Sequence, residues 1–382
     1  MSLSGAPTSA VLASAGVAQV EPPAQALEHK YIVLDLFRFI AASLVMVYHL
    51  NIGMNLGIER AFPGILTFKY FVDFFFVLSG FVIAINYADR LKDGPSYARF
   101  LGRRIARIYP LHVATLLIFA VAGNYALAKG ISFDRPEYFS FRWLSENLLL
   151  VHAWGFVPHR TFNGPSWSIS AEMFVYLLFP LFALLAARLS WVINAVLIVL
   201  LVALMATVRT LAGLEPWHIA TNQAGMLRAV PTFFAGVLIA RAVLNGAVIS
   251  APVARRGALL SLLLATAVIV LNLPAELVIA SFVPVVLFTA FAERSTEFSA
   301  GFKRIAGALG EASYAVYMLQ MGAVAFGTIL ARKTVGLDGG TGLMVAFATY
   351  LATLVLAIPV FHWFENPARR ALQRLFERRV PA

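Results

Sequence analysis

Residues 31–56 read YIVLDLFRFIAASLVMVYHLNIGMNL, an apolar run interrupted by Asp35, Arg38 and His49. A run of this length predicts a membrane-spanning helix, and a charged side chain at its centre costs about 3 kcal/mol. A helix rises about 1.5 Å and turns about 100° per residue, so the eleven residues from Arg38 to His49 make almost three turns. The two side chains therefore share a face, roughly 16 Å apart along the axis. Asp35 lies one turn before Arg38 and can pair with it. Such a face should look into protein or a wet cavity, where charged groups do chemistry or transport.

The rest of the chain follows the same pattern. Its 382 residues are 60% hydrophobic and 13% charged, with a mean hydropathy of +0.80, which excludes an ordinary soluble domain. Ten apolar stretches qualify as spans: 31–56, 66–88, 109–128, 166–187, 190–212, 225–245, 256–273, 276–293, 303–331 and 341–364. The expected fold is all-α, a polytopic bundle of about ten transmembrane helices. The net charge of +11 sits at helix ends rather than on a basic face, so no nucleic-acid partner is expected. With the N-terminus inside, nineteen Lys and Arg fall on the inner side and nine on the outer, which predicts both termini cytoplasmic. Residues 1–29, rich in Ala, Ser, Pro and Gly, read as a disordered cytoplasmic tail. Residues 30–366 read as the membrane domain and 367–382 as a basic cytoplasmic tail that meets anionic lipid. There is no cysteine, so disulfides, thiolate metal sites and an acyl-cysteine intermediate are excluded.

Depth sorts the polar residues into two layers. His49, Asp73 and Glu172, from three different spans, each fall about six or seven residues below the outer surface, roughly 10 Å down. A histidine with neighbouring carboxylates is an acid–base cluster. The bland alternatives are a packed histidine, an Asp73 paired with Lys69 and a Glu172 bracing its helix end. Near the inner surface, Arg103, Arg104 and Arg107 precede Tyr109 and Pro110, and Arg104 and Arg107 share a helical face. Guanidinium forks bind phosphate oxygens, although interfacial anchoring also explains such arrays. No phosphate-binding glycine loop or nucleophile elbow occurs. His152 and His159 lack a metal-ligand frame, so no metal is expected. A proton- or substrate-coupled transporter would also bury such charges, but it calls for repeated halves that are not evident here.

Six segments in order give the chain a family likeness: LDLFRFIAASLVMVYH, VDFFFVLSGFVI, FLGRRIARIYPLH, PSWSISAEMFVYLLFPL, LGEASYAVYMLQ and WFENPARR. Together they resemble the acyltransferase-3 family of integral membrane acyltransferases, in its stand-alone form, over residues 31–370. The resemblance implies that 30–366 is an acyltransferase domain of the bacterial cytoplasmic (inner) membrane. It implies transfer of an acyl group, usually acetyl from acetyl-CoA, to a hydroxyl of a glycan or lipid-linked glycan, with no metal. It places His49, Glu172 and Arg38 in catalysis, and the shared depth adds Asp73 to that set. Arg103, Arg104, Arg107 and Tyr109 are then expected to bind the acyl-CoA. Asn163, Trp167, Ser168, Trp154 and Gln320 are expected to meet the acceptor. Where many members carry a histidine, this chain has Gln320, which can hydrogen-bond but cannot titrate.

Overall fold

The computed structural model describes residues 31–131, 133–337 and 340–379. The expected tail at 1–29 and the last residues of the basic tail, 380–382, lie outside them. Among the described residues all regular structure is helical: α1 (Ile32–Met54), α2 (Phe71–Tyr87), α3 (Gly94–Ala128), α4 (Leu144–Leu148), α5 (Trp167–Arg188) and α6 (Trp191–Leu211). The series continues with α7 (Met226–Leu244), α8 (Ala251–Val270), α9 (Ala275–Glu293), α10 (Ala300–Thr334), α11 (Gly340–Pro359) and α12 (Asn366–Arg379). Ten helical stretches are long and apolar enough to cross a bilayer, as the hydropathy pattern predicts. In lipid the backbone must satisfy its own polar groups, and helices do so within each segment.

Two packing relations position the site. The parallel helices α1 and α10 lie side by side: Asp35 meets Gly310, His49 meets Gln320, Gly53 meets Val324 and Met54 meets Gly327. A methyl group at Gly310 would strike the Asp35 backbone, so this crossing needs glycine there. The first turn of α1 has no side-chain cap of its own. Glu293, at the end of α9, supplies one by accepting the Leu34 N–H at 3.0 Å. The second relation joins α2 to α7, where a methyl at Gly80 or Gly236 would run into the carbonyl of Phe233 or Val77. That backbone-to-backbone approach carries Arg228 of α7 to Asp73 of α2.

One expected boundary changes. The helix expected over 109–128 begins fifteen residues earlier, because α3 starts at Gly94. Asp93 accepts the Ser96 N–H at 2.8 Å and Ser96 Oγ accepts the Asp93 N–H at 3.1 Å, a capping box that nucleates the helix early. At 35 residues α3 is about 50 Å long and outreaches a hydrocarbon core of about 30 Å. The chain after α11 continues as helix. A π-helical turn at Val360–Glu365 leads into α12, which lies on the start of α3 with Phe376 against Gly102 and Glu377 3.2 Å from Arg103.

Candidate active site

A cavity of about 190 Å³ opens between α1, α2, α3, α5 and α10. Its basic end holds Arg38, Arg104 and Arg107, its middle Ser79, Glu172, Tyr176 and Tyr314, and its far end Ser168 and Tyr317. Arg104 and Arg107 reach it together because three residues make nearly one turn. Each guanidinium is held differently. Arg107 lies 5.4 Å over the Tyr314 ring and pairs with Glu365, whose carboxylate is fully buried. Arg38 donates to Asp35 Oδ1 at 2.9 Å. Arg104 sits 5.4 Å over Tyr87, and among the described residues it has no carboxylate partner and its buried Nε no acceptor. A buried donor left unpaired carries a desolvation cost that an anionic ligand would remove. In the middle, one oxygen of Glu172 accepts from both Ser79 Oγ, at 2.7 Å, and Tyr176 Oη.

His49 stands just beyond this cavity. Its Nδ1 is 3.1 Å from Gln320 Oε1, and Gln320 is completely buried. The Gln320 amide nitrogen donates in turn to the Tyr317 carbonyl at 2.8 Å. Tyr317 forms the cavity wall between the two. Its hydroxyl lies 2.8 Å from Ser168 Oγ, and both hydroxyls reach the Pro165 carbonyl, at 3.1 and 3.0 Å. Tyr317 on the cavity wall and Gln320 beside the histidine are thus one turn apart on α10.

Several expected neighbours of His49 lie elsewhere. Asp73 is fully buried in a two-point ion pair with Arg228, Nε to Oδ1 at 3.0 Å and Nη2 to Oδ2 at 2.5 Å. Its partner is therefore neither His49 nor Lys69. Depth alone placed it beside His49; the α2–α7 crossing turns it the other way. Glu172 is in the cavity but hydrogen-bonds Ser79 and Tyr176, not His49. Arg38, drawn back towards Asp35, lines the cavity's basic end, roughly 16 Å down the axis from His49. Arg103 points to Glu377 on α12 and does not line the cavity, nor does Tyr109, whose ring lies 6.5 Å from that of His112.

The proposed acceptor set divides as well. Trp154 Nε1 is spent on the Ser170 carbonyl at 3.0 Å. Trp167 is buried, with the Arg228 guanidinium 5.1 Å from its ring. Asn163 ties the loop to α10 by donating to the Met318 carbonyl at 3.0 Å. Ser168 lines the cavity, and Gln320 contacts His49. Sequence reading missed Glu365, Tyr314, Ser79 and Tyr176. Glu365 could have been noticed as a lone acid closing an apolar run; the other three carry no mark that separates them from packing residues.

A second imidazole cluster lies under the 129–163 loop. The rings of His112 and His152 stack 6.0 Å apart, nearly parallel. His112 Nε2 meets the Asn147 carbonyl at 2.9 Å and His152 Nε2 meets Ser166 Oγ at 3.1 Å, while both Nδ1 atoms are sealed without partners. No group of acids and histidines able to hold a metal ion occurs among the described residues.

Comparison with known proteins places this arrangement. The model of a family described as an acyltransferase domain matches residues 31–362, and the chain belongs to that acyltransferase-3 family. Acyltransferase MdmB of Streptomyces mycarofaciens is 42% identical over 114 residues, 29% of this chain and 27% of that protein. A candidate peptidoglycan O-acetyltransferase, YrhL of Bacillus subtilis (strain 168), is 31% identical over 209 residues, 49% of this chain and 30% of its own length. Peptidoglycan O-acetyltransferase OatA of Listeria monocytogenes is 28% identical over 205 residues, 48% of this chain and 30% of its own. The matches span less than a third of the length of these three relatives. No solved structure matches the chain.

Proposed function

We propose that this chain is a membrane-embedded O-acyltransferase of the bacterial cytoplasmic membrane. It takes acetyl from cytoplasmic acetyl-CoA and delivers it to a hydroxyl of a glycan or lipid-linked glycan on the other side. The observation that carries the reading is the cavity itself. Three arginines sit at its basic end, and one turn beyond its far wall stands His49. The excess of Lys and Arg at the basic end supports its being the cytoplasmic one. The names of two relatives support a glycan acceptor.

In this reading Arg104, Arg107 and Arg38 grip the phosphates and arm of the donor, as guanidinium forks do. The thioester then extends past Glu172 towards Tyr317 and Ser168. His49 takes the proton of the acceptor hydroxyl as its oxygen bonds to the thioester carbon. The carbon–sulfur bond breaks, and the CoA thiolate receives the proton from the imidazolium. A relay through acetyl-His49 uses the same nitrogen lone pair and the same leaving group. General-base help of this kind contributes roughly 10²–10⁴ in rate. The test is purified protein in nanodiscs with radiolabelled acetyl-CoA and a muropeptide oligosaccharide. Alkali-labile label on the sugar is expected from the wild type and not from His49→Ala; equal labelling by both would overturn the assignment.

A further inference from the structure

Gln320 is a neutral side chain at a position where a group beside the candidate base is needed, and its geometry specifies more than contact. A glutamine amide has one end that only accepts and one end that only donates. The end facing the Tyr317 carbonyl, at 2.8 Å, must be the NH₂, because a carbonyl oxygen cannot donate. That leaves Oε1 towards His49 Nδ1, at 3.1 Å. Oε1 only accepts, so a neutral His49 carries its hydrogen on Nδ1 and its lone pair on Nε2.

The remaining nitrogen is open. Nε2 of His49 has no hydrogen-bond partner among the described residues, and it is not one of the sealed, unpartnered atoms of the protein. The Nδ1 atoms of His112 and His152 are. Complete burial keeps water from competing for the Gln320 oxygen. The close approach of α1 to α10, at Gly310 against Asp35 and at Gly53 against Val324, holds the two side chains opposite each other.

We propose that Gln320 is a positioning residue that locks His49 in the Nδ1–H tautomer, aiming the Nε2 lone pair at the acceptor hydroxyl. This rests on the reading of His49 as the reacting group, but it makes a claim about the free protein that needs no substrate. A carboxylate in this place would orient the ring and also offset the imidazolium charge; an amide does only the first. Tyr317 joins the two halves of the site, since its ring walls the donor cavity while its carbonyl sets the amide.

The test is nitrogen-15 NMR of histidine-labelled protein in nanodiscs, at a pH where His49 is neutral. Its signals are identified by their loss in His49→Gln. The wild type should show a protonated Nδ1 and an unprotonated Nε2. Gln320→Leu should give a mixed or reversed tautomer, with kcat down roughly 10–100-fold, the range for losing a group that orients a functional histidine. The KM for acetyl-CoA should not change. Gln320→Glu, which keeps the acceptor oxygen, should restore the tautomer. A wild-type spectrum showing Nε2–H overturns the proposal whether or not any variant folds. So does an unchanged tautomer in Gln320→Leu. Neither result depends on acyl transfer, so a protein that transfers nothing would fail the functional reading alone.

Discussion

His49 and the stacked His112–His152 pair are all imidazoles removed from bulk water, yet only the first keeps a nitrogen for a reactant. In the pair, each Nε2 is hydrogen-bonded to protein and each Nδ1 is sealed. At His49 one nitrogen is bonded and the other is open. The pair pins the 129–163 loop through Asn147 and Ser166, and burial pushes the His152 pKa down to about 3, with the nearby His112 adding to the shift. Burial and a hydrogen bond are common to both settings. Access separates them, and access is what acid–base chemistry requires.

The contrast breaks most visibly in rate. His49→Ala should lower acyl transfer by roughly 10²–10⁴-fold per folded molecule. His152→Ala should do the reverse, lowering the midpoint while each folded molecule keeps its turnover. A folded, inactive His152→Ala, followed by circular dichroism and turnover together, would erase the distinction.

Asp73 sharpens the same boundary. Its neutralisation in Asp73→Asn leaves Arg228, only 4% exposed, without a counter-charge, and loss of one partner of a buried pair costs roughly 3–5 kcal/mol. Denaturant unfolding in detergent should show that loss. Turnover abolished at unchanged stability would return Asp73 to the chemistry.

Smaller effects are expected at the basic end. Arg104→Gln removes a cavity arginine that no carboxylate among the described residues pairs, and should raise the KM for acetyl-CoA about tenfold, the equivalent of one charge-assisted hydrogen bond. Arg103→Gln should change it little, because that side chain faces Glu377. Equal effects in steady-state kinetics would merge the two positions.

The smallest effect is in pH. Above its ordinary value of 6.5, His152 is neutral whether folded or unfolded and adds no pH dependence. As pH falls from 6.5 towards about 3 the unfolded chain binds a proton that the folded one refuses, so stability is lost across that window. Thermal unfolding of wild type against His152→Gln should show this acid-side loss only in the former. A parallel pH response in both would mean the His152 ring is not sealed.

Much of the fold was legible in the apolar runs, because lipid leaves the backbone little choice but helix. The shared face of Arg104 and Arg107, which both line the cavity, followed from helical period alone. The start of α3 was missed because a two-residue capping box outweighs the hydropathy of its arginine-rich first turns. Depth along a helix sets the level of a side chain but not its direction around the axis. For that reason Asp73 and Glu172 were grouped with His49, while its hydrogen-bond partner is Gln320 from α10. That choice is made by the glycines that let α1 and α10 approach, and no single segment contains it.

Sidedness tests the central claim most directly. Proteoliposomes would carry radiolabelled acetyl-CoA on the face exposing Arg104 and Arg107, with glycan acceptor on the opposite face only. The account predicts label on the far-side glycan with wild-type protein and none with His49→Ala. Label appearing only when donor and acceptor share one face, or arriving undiminished with His49→Ala, would contradict it.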